Sequence, residues 1–104
     1  MTEPDITIEL PEPWYWTDQD LSDQLYSELI SGHILYGKKA KSLARRGDKD
    51  DVLFELINAD HQYAVVHLTW APHQLHKSYP RTKLYKDWQD LYENRILPDA
   101  QDFE

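Results

Sequence analysis

Two apolar runs with a short polar link between them constrain this chain more than any other feature. The segments VLFELIN (52–58) and YAVVHLTW (63–70) are rich in β-branched and aromatic residues, and only residues 59–62 separate them. This pattern predicts a β-hairpin. A tight turn centred on Asp60 and His61 would pair Leu56 with Val65, Phe54 with His67 and Val52 with Thr69. Leu53, Ile57, Ala64, Val66, Leu68 and Trp70 would then share the opposite face. Both faces are largely apolar, so the hairpin must be covered on both sides or strongly curved.

Three helices are expected around it. The first opens at Thr17 as N-cap, with Asp20 three residues on and Trp16 and Leu21 placed as a hydrophobic staple. Leu21, Leu25, Leu29 and Ile30 follow at helical spacing, and Gly32 suits the residue beyond the C-terminus. Asp18, Asp20 and Asp23 lie where a helix dipole favours negative charge. A second helix is predicted over residues 37–46, with Ala40, Leu43 and Ala44 as its stripe and Gly47 as its stop. Lys38 and Lys39 at its start oppose the dipole and have no helical explanation. A third is predicted from Thr82 or Leu84 to Ile96, with Leu84, Trp88, Leu91 and Tyr92 inward and Pro98 as its stop. Residues 71–81 contain two prolines and no periodicity, and form a long loop of the kind that often carries function.

The resulting order is arm, helix, helix, strand, strand, loop, helix. It predicts an α+β fold in one domain spanning residues 1–104, with an extended arm at 1–13 and an acidic tail at 99–104. The antiparallel sheet would have two strands, and the alternation of residues 6–10 allows a third.

Charge is sorted along the chain. Residues 1–37 hold eight acids and no Lys or Arg, residues 38–49 hold six bases and one acid, and residues 77–86 hold four bases and no acid, within a net charge of −8. So acidic a chain is not expected to bind DNA. Cysteine is absent, which excludes disulfides and thiolate chemistry and suits a reducing cytoplasm. The acidic N-terminus reads as no signal peptide, and no stretch approaches the ~18 apolar residues of a membrane span.

Candidate chemistry is sparse. His73 and His76 lie in the long loop near His67, but without the Glu of a metalloprotease helix or any Cys, so no metal site is assigned. His67, within an apolar strand and with no nucleophile motif nearby, reads as a core histidine bonded to a buried neighbour. Asp48, Asp50 and Asp51 lack the glycine and terminal Glu of a calcium loop and read as turn formers. No cofactor motif is present. The strongest convergence is at the open end of the hairpin, where the basic segment enters and the long loop leaves. There Trp70, His73, His76, Arg81, Arg45 and Arg46 could receive a phosphate or carboxylate group.

The DDVLFEL segment (50–56), the YAVVHLTW segment and Pro80, Arg81 and Thr82 together resemble a family of small bacterial proteins. The resemblance spans roughly residues 33–98 and implies a compact domain without implying an activity. In composition the chain also resembles immunity proteins and inhibitors that bacteria pair with toxins. Two functions are therefore expected to compete. One is a non-catalytic binding module for a basic protein partner, using the acidic first segment with Trp14 and Trp16 as anchors. The other is a small-ligand or enzymatic site at the open end of the hairpin.

Overall fold

The computed structural model of the chain describes residues 8–70 and 79–103. It contains a five-stranded antiparallel sheet in which every strand pairs with its neighbour in sequence: β1 (Trp14–Trp16), β2 (Lys39–Arg46), β3 (Asp51–Ile57), β4 (Tyr63–His67) and β5 (Arg81–Tyr85). Helix α1 (Ser22–Glu28) lies between β1 and β2. After β5 a helical stretch runs through α2 (Trp88–Leu91), a π-helical segment (Tyr92–Ile96) and α3 (Leu97–Phe103). The fold is therefore mostly sheet, which corrects the expectation of a two-stranded sheet dominated by helices.

The hairpin forms, but in another register. Leu53 pairs with Val65, Phe54 with Ala64, Val52 with Val66 and Asp51 with His67. The connection is wide rather than tight: residues 58–62 separate the strands, Asn58 adopts φ 56°, and the Leu56 amide donates to the Gln62 carbonyl at 2.7 Å. The pairing moves by three residues, and an odd displacement exchanges the faces of one strand relative to the other. Val52, Phe54 and Leu56 therefore share a face with Ala64, Val66 and Leu68, and pack against Leu21, Leu25 and Leu29 around α1. Leu53, Tyr63 and Val65 face the other way, against Trp14, Leu91 and Ile96. The hairpin is covered on both sides, as its two apolar faces require.

The predicted second helix is β2. Its alanines, lysines and arginines favour a helix, but Lys39 and Lys41 are exposed while Ala40 and Ser42 are buried, the alternation of a strand. A bulge between Ser42 and Ala44 places both Leu43 and Ala44 in the core shared with Trp14. The third predicted helix is overturned at both ends. Residues 81–85 form β5, so Leu84 packs on the α1 side while Trp88, Leu91 and Tyr92 pack on the other. Pro98 does not stop the helix, which runs on to Phe103 through the predicted tail. The π-helical segment lies just before this proline, where the ring removes an amide donor and widening of the turn is common.

The first helix is shorter than predicted. Thr17 does not cap it: its Oγ1 accepts the Gln19 amide at 3.1 Å, and the N-cap is Leu21. The staple fails because Trp16 and Leu21 lie in different cores. Gly32 adopts φ 100°, but in the turn beyond the helix rather than at its end. Of the strand allowed at 6–10, residues 8–10 form none and residues 6 and 7 lie outside the described residues; the first strand among the described residues is Trp14–Trp16. Among the described residues no helix is long and apolar enough to cross a membrane.

Candidate functional site

Among the described residues a wide, open groove of about 920 Å³ lies beside the outer edge of β2, lined by residues that include Trp16, Asp18, Asp20, Lys41 and Leu43. Its geometry begins with the partial cover of β2 by its neighbour. Strand β1 pairs only with Ala44, Arg45 and Arg46, so the segment before Ala44 has no strand on that side. Side chains and loop amides close much of this edge instead. Tyr26 Oη both donates to the Ala40 carbonyl (3.2 Å) and accepts the Ala40 amide (3.0 Å), and the Thr17 amide donates to the Leu43 carbonyl (3.0 Å). An edge engaged in this way resists strand addition. What the groove presents is therefore side chains rather than a free strand edge.

Ser42 is the tether of the groove's acidic lip. Its Oγ accepts the Leu21 amide at 3.1 Å and donates to the Gln19 carbonyl at 2.8 Å, and so holds the chain on both sides of Asp20. Asp20 accepts the Ser22 hydroxyl (2.6 Å) and amide (3.0 Å). These bonds, the hydroxyl first, hold its carboxyl below the usual aspartate range. Asp18 and Asp20 are both exposed. Below them Trp16 stacks on Trp88 at 5.8 Å and 17°, and its indole N–H donates to the Ile8 carbonyl at 2.8 Å. A fixed, half-buried indole beside two carboxylates can receive a basic group by charge and by cation–π contact.

Trp14, expected as a second anchor, is a core residue. It is 1 % exposed, and its indole N–H donates to Asp99 at 2.9 Å.

The residues expected at the open end of the hairpin divide between the two faces, because consecutive strand residues point oppositely. Arg45 stacks over Trp70 at 5.5 Å and donates to Gln19 at 3.2 Å. Arg46 turns to the other face, where it is buried and bound to Asp48 (2.7 Å) and Asp99 (3.2 Å). Its hydrogen bond and charge hold the Asp48 carboxyl below its ordinary range. Arg81 is exposed over the Tyr79 ring at 5.7 Å. His73 and His76 lie outside the described residues.

Sequence reasoning missed three elements of this end. The first is a network built on Asp51, 5 % exposed, which accepts His67 Nδ1 at 2.7 Å and Arg95 Nη2 at 2.8 Å. Arg95 also donates to Asp99 at 2.9 Å. Burial opposes its charge, but the Tyr85 hydroxyl and Asp99 hold its pKa above the ordinary arginine value. The correct register was the missing signal, since it sets Asp51 opposite His67. His67 is bonded to a buried neighbour as expected, but its own side chain is half exposed. The second is a hollow of about 170 Å³ bordered by Asp51, His67, Arg81, Lys83 and Arg95. The third is a clamp from around α1. Buried Glu28 accepts the Thr69 hydroxyl (2.6 Å), the Thr69 amide (2.8 Å) and the Trp70 amide (3.1 Å). Trp70 is held there at φ 62°, a region bulky side chains rarely adopt. His33 Nδ1 accepts the Leu35 amide at 3.0 Å, so its Nε2 carries the proton and donates to the Pro80 carbonyl at 2.8 Å.

Among the described residues no group of three or more His, Asp or Glu side chains is arranged to hold a metal ion. Comparison of the chain with protein-family models, curated proteins and solved structures found no match to any of them.

Proposed function

We propose that this protein is a non-catalytic binding module that receives a basic segment of a protein partner in the groove beside β2. The observation that carries this reading is the pairing, in one open groove, of the Trp16 and Leu43 surface with the Asp18 and Asp20 carboxylates. An apolar floor supplies desolvation, and a charged lip supplies orientation and on-rate. Lys41 on the same wall reduces the negative field there, which favours a partner with a few placed cations over a long polybasic tract. A role as inhibitor or immunity-type protein fits this arrangement, because such a protein needs affinity and no reacting group. The cysteine-free sequence suits a cytoplasmic setting.

The test is a pull-down from the native host with the tagged protein and with the double variant Asp18→Lys/Asp20→Lys, at low and high salt. The proposal expects a basic partner that the unaltered protein retains at low salt. High salt should weaken its retention, because exposed charges are screened, and the double variant should abolish it. Equal retention by the two proteins, or no partner at either salt, would rule the groove out.

A further inference from the structure

We propose that the hollow between β4 and β5 is a binding site for a phosphoryl group, separate from the groove beside β2 and independent of it. The antiparallel register sets His67 opposite Arg81 and Val65 opposite Lys83, so these side chains fall on one face of the sheet. Arg95 reaches the same hollow from the π-helical segment. Three bases and one acid border it, in a protein whose net charge is −8. Asp51, the single acid, is buried, and both of its oxygens are occupied, one by His67 and the other by Arg95. Its charge is thus answered within the fold.

Arg81 and Lys83 have no such internal partner. Neither forms an ion pair among the described residues, and each lies over a tyrosine ring, Tyr79 at 5.7 Å and Tyr85 at 6.0 Å. Charges on a terminal strand also discourage edge-to-edge pairing, and β5 is terminal. That role requires charge, but it does not require the charges to border one hollow together with His67 and Arg95. Asp51 holds His67 by Nδ1, and Nε2 has no protein partner among the described residues. The site therefore offers a guanidinium and an ammonium as donors and, because the Nδ1–H of the neutral ring donates to Asp51, an oriented imidazole Nε2 as acceptor.

Size selects among anions. A volume of about 170 Å³ corresponds to roughly five or six water molecules at ~30 Å³ each. That admits one tetrahedral oxyanion and leaves the remainder of a phosphomonoester outside. A phosphoryl group that keeps one proton offers acceptor oxygens to Arg81 and Lys83 and a hydroxyl to His67 at once, whereas an ionised carboxylate has no hydroxyl to donate.

The experiment is a ¹H–¹⁵N shift titration of the full chain with inorganic phosphate at constant ionic strength, with acetate as a parallel arm. The expected result is saturable shifts centred on His67, Thr82 and Lys83 with phosphate and weaker binding of acetate. Arg81→Gln and Lys83→Gln, both at exposed positions, should each weaken phosphate binding about tenfold or more with the fold intact. A phosphomonoester that binds more tightly than free phosphate would identify the larger ligand as the natural source. Shifts that never saturate, equal binding of acetate, or phosphate affinity unchanged in both variants would overturn the proposal.

Discussion

Glu28 shows how much a single buried carboxylate organises. It is fully buried, yet it lies in a short helix and answers backbone amides more than forty positions away in sequence, at the exit of β4. The Thr69 and Trp70 amides lie beyond the last paired residue of the strand, and Glu28 accepts both where the ladder has ended. Glu28→Ala should therefore destabilise the protein by roughly 2–4 kcal/mol in denaturant unfolding. It should also release Trp70 from its positive φ, seen as a change in tryptophan fluorescence. A loss below about 0.5 kcal/mol would show that water replaces the carboxylate without cost. Nothing in the sequence marks Glu28 for this role: it reads as one acid among eight in the first 37 residues. His67 was partly legible, since a histidine inside an apolar strand needs a partner. The identity of that partner depended on a register that the apolar pattern alone could not fix, because both faces of the hairpin are apolar.

At the scale of elements, the strongly β-branched strands were legible and the two lysine- and arginine-bearing strands were not. Strand β2 is built from good helix formers, and its strand character comes from pairing on both sides, with β3 along most of its length and with β1 at its end. Lys38 and Lys39, unfavourable at a helix start, were the local sign that the helix was wrong. Strand β5 alternates exposed charges with partly buried residues over Arg81–Leu84, but it is short and runs directly into a helix, so its period was absorbed into the helical stripe. The groove depends on β2 being a strand, because Ser42 faces the 17–21 segment only in that conformation. Ser42→Ala removes both tethers and strands the Leu21 amide. It should lower stability by about 1–3 kcal/mol and weaken partner binding through the displaced acidic lip. Unchanged binding alongside reduced stability would show that the lip is placed by other contacts.

Over the whole molecule, part of the charge sorted along the sequence is neutralised within the fold. Arg46, Asp48, Asp51, Arg95 and Asp99 neutralise one another in a network that joins β2, β3 and the C-terminal helical stretch. Among the charges outside that network are those of the two surfaces proposed to bind ligands: the Asp18 and Asp20 carboxylates beside β2, and Arg81 with Lys83 on β5. The fold divides what the sequence grouped at the open end of the hairpin, with Arg45 and Trp70 on one face and Arg46 on the other. The central claim is that recognition is local to the groove rather than a property of a generally acidic surface. Shift mapping of the ¹⁵N-labelled protein with a short Lys- and Arg-bearing peptide tests it most directly. The account predicts that the Trp16 indole and the amides of residues 17–20 and 41–43 shift together and saturate, and that Asp18→Lys/Asp20→Lys removes the response. Shifts scattered over Glu9, Glu12, Glu93 and Asp102, or a response that survives the double variant, would contradict it.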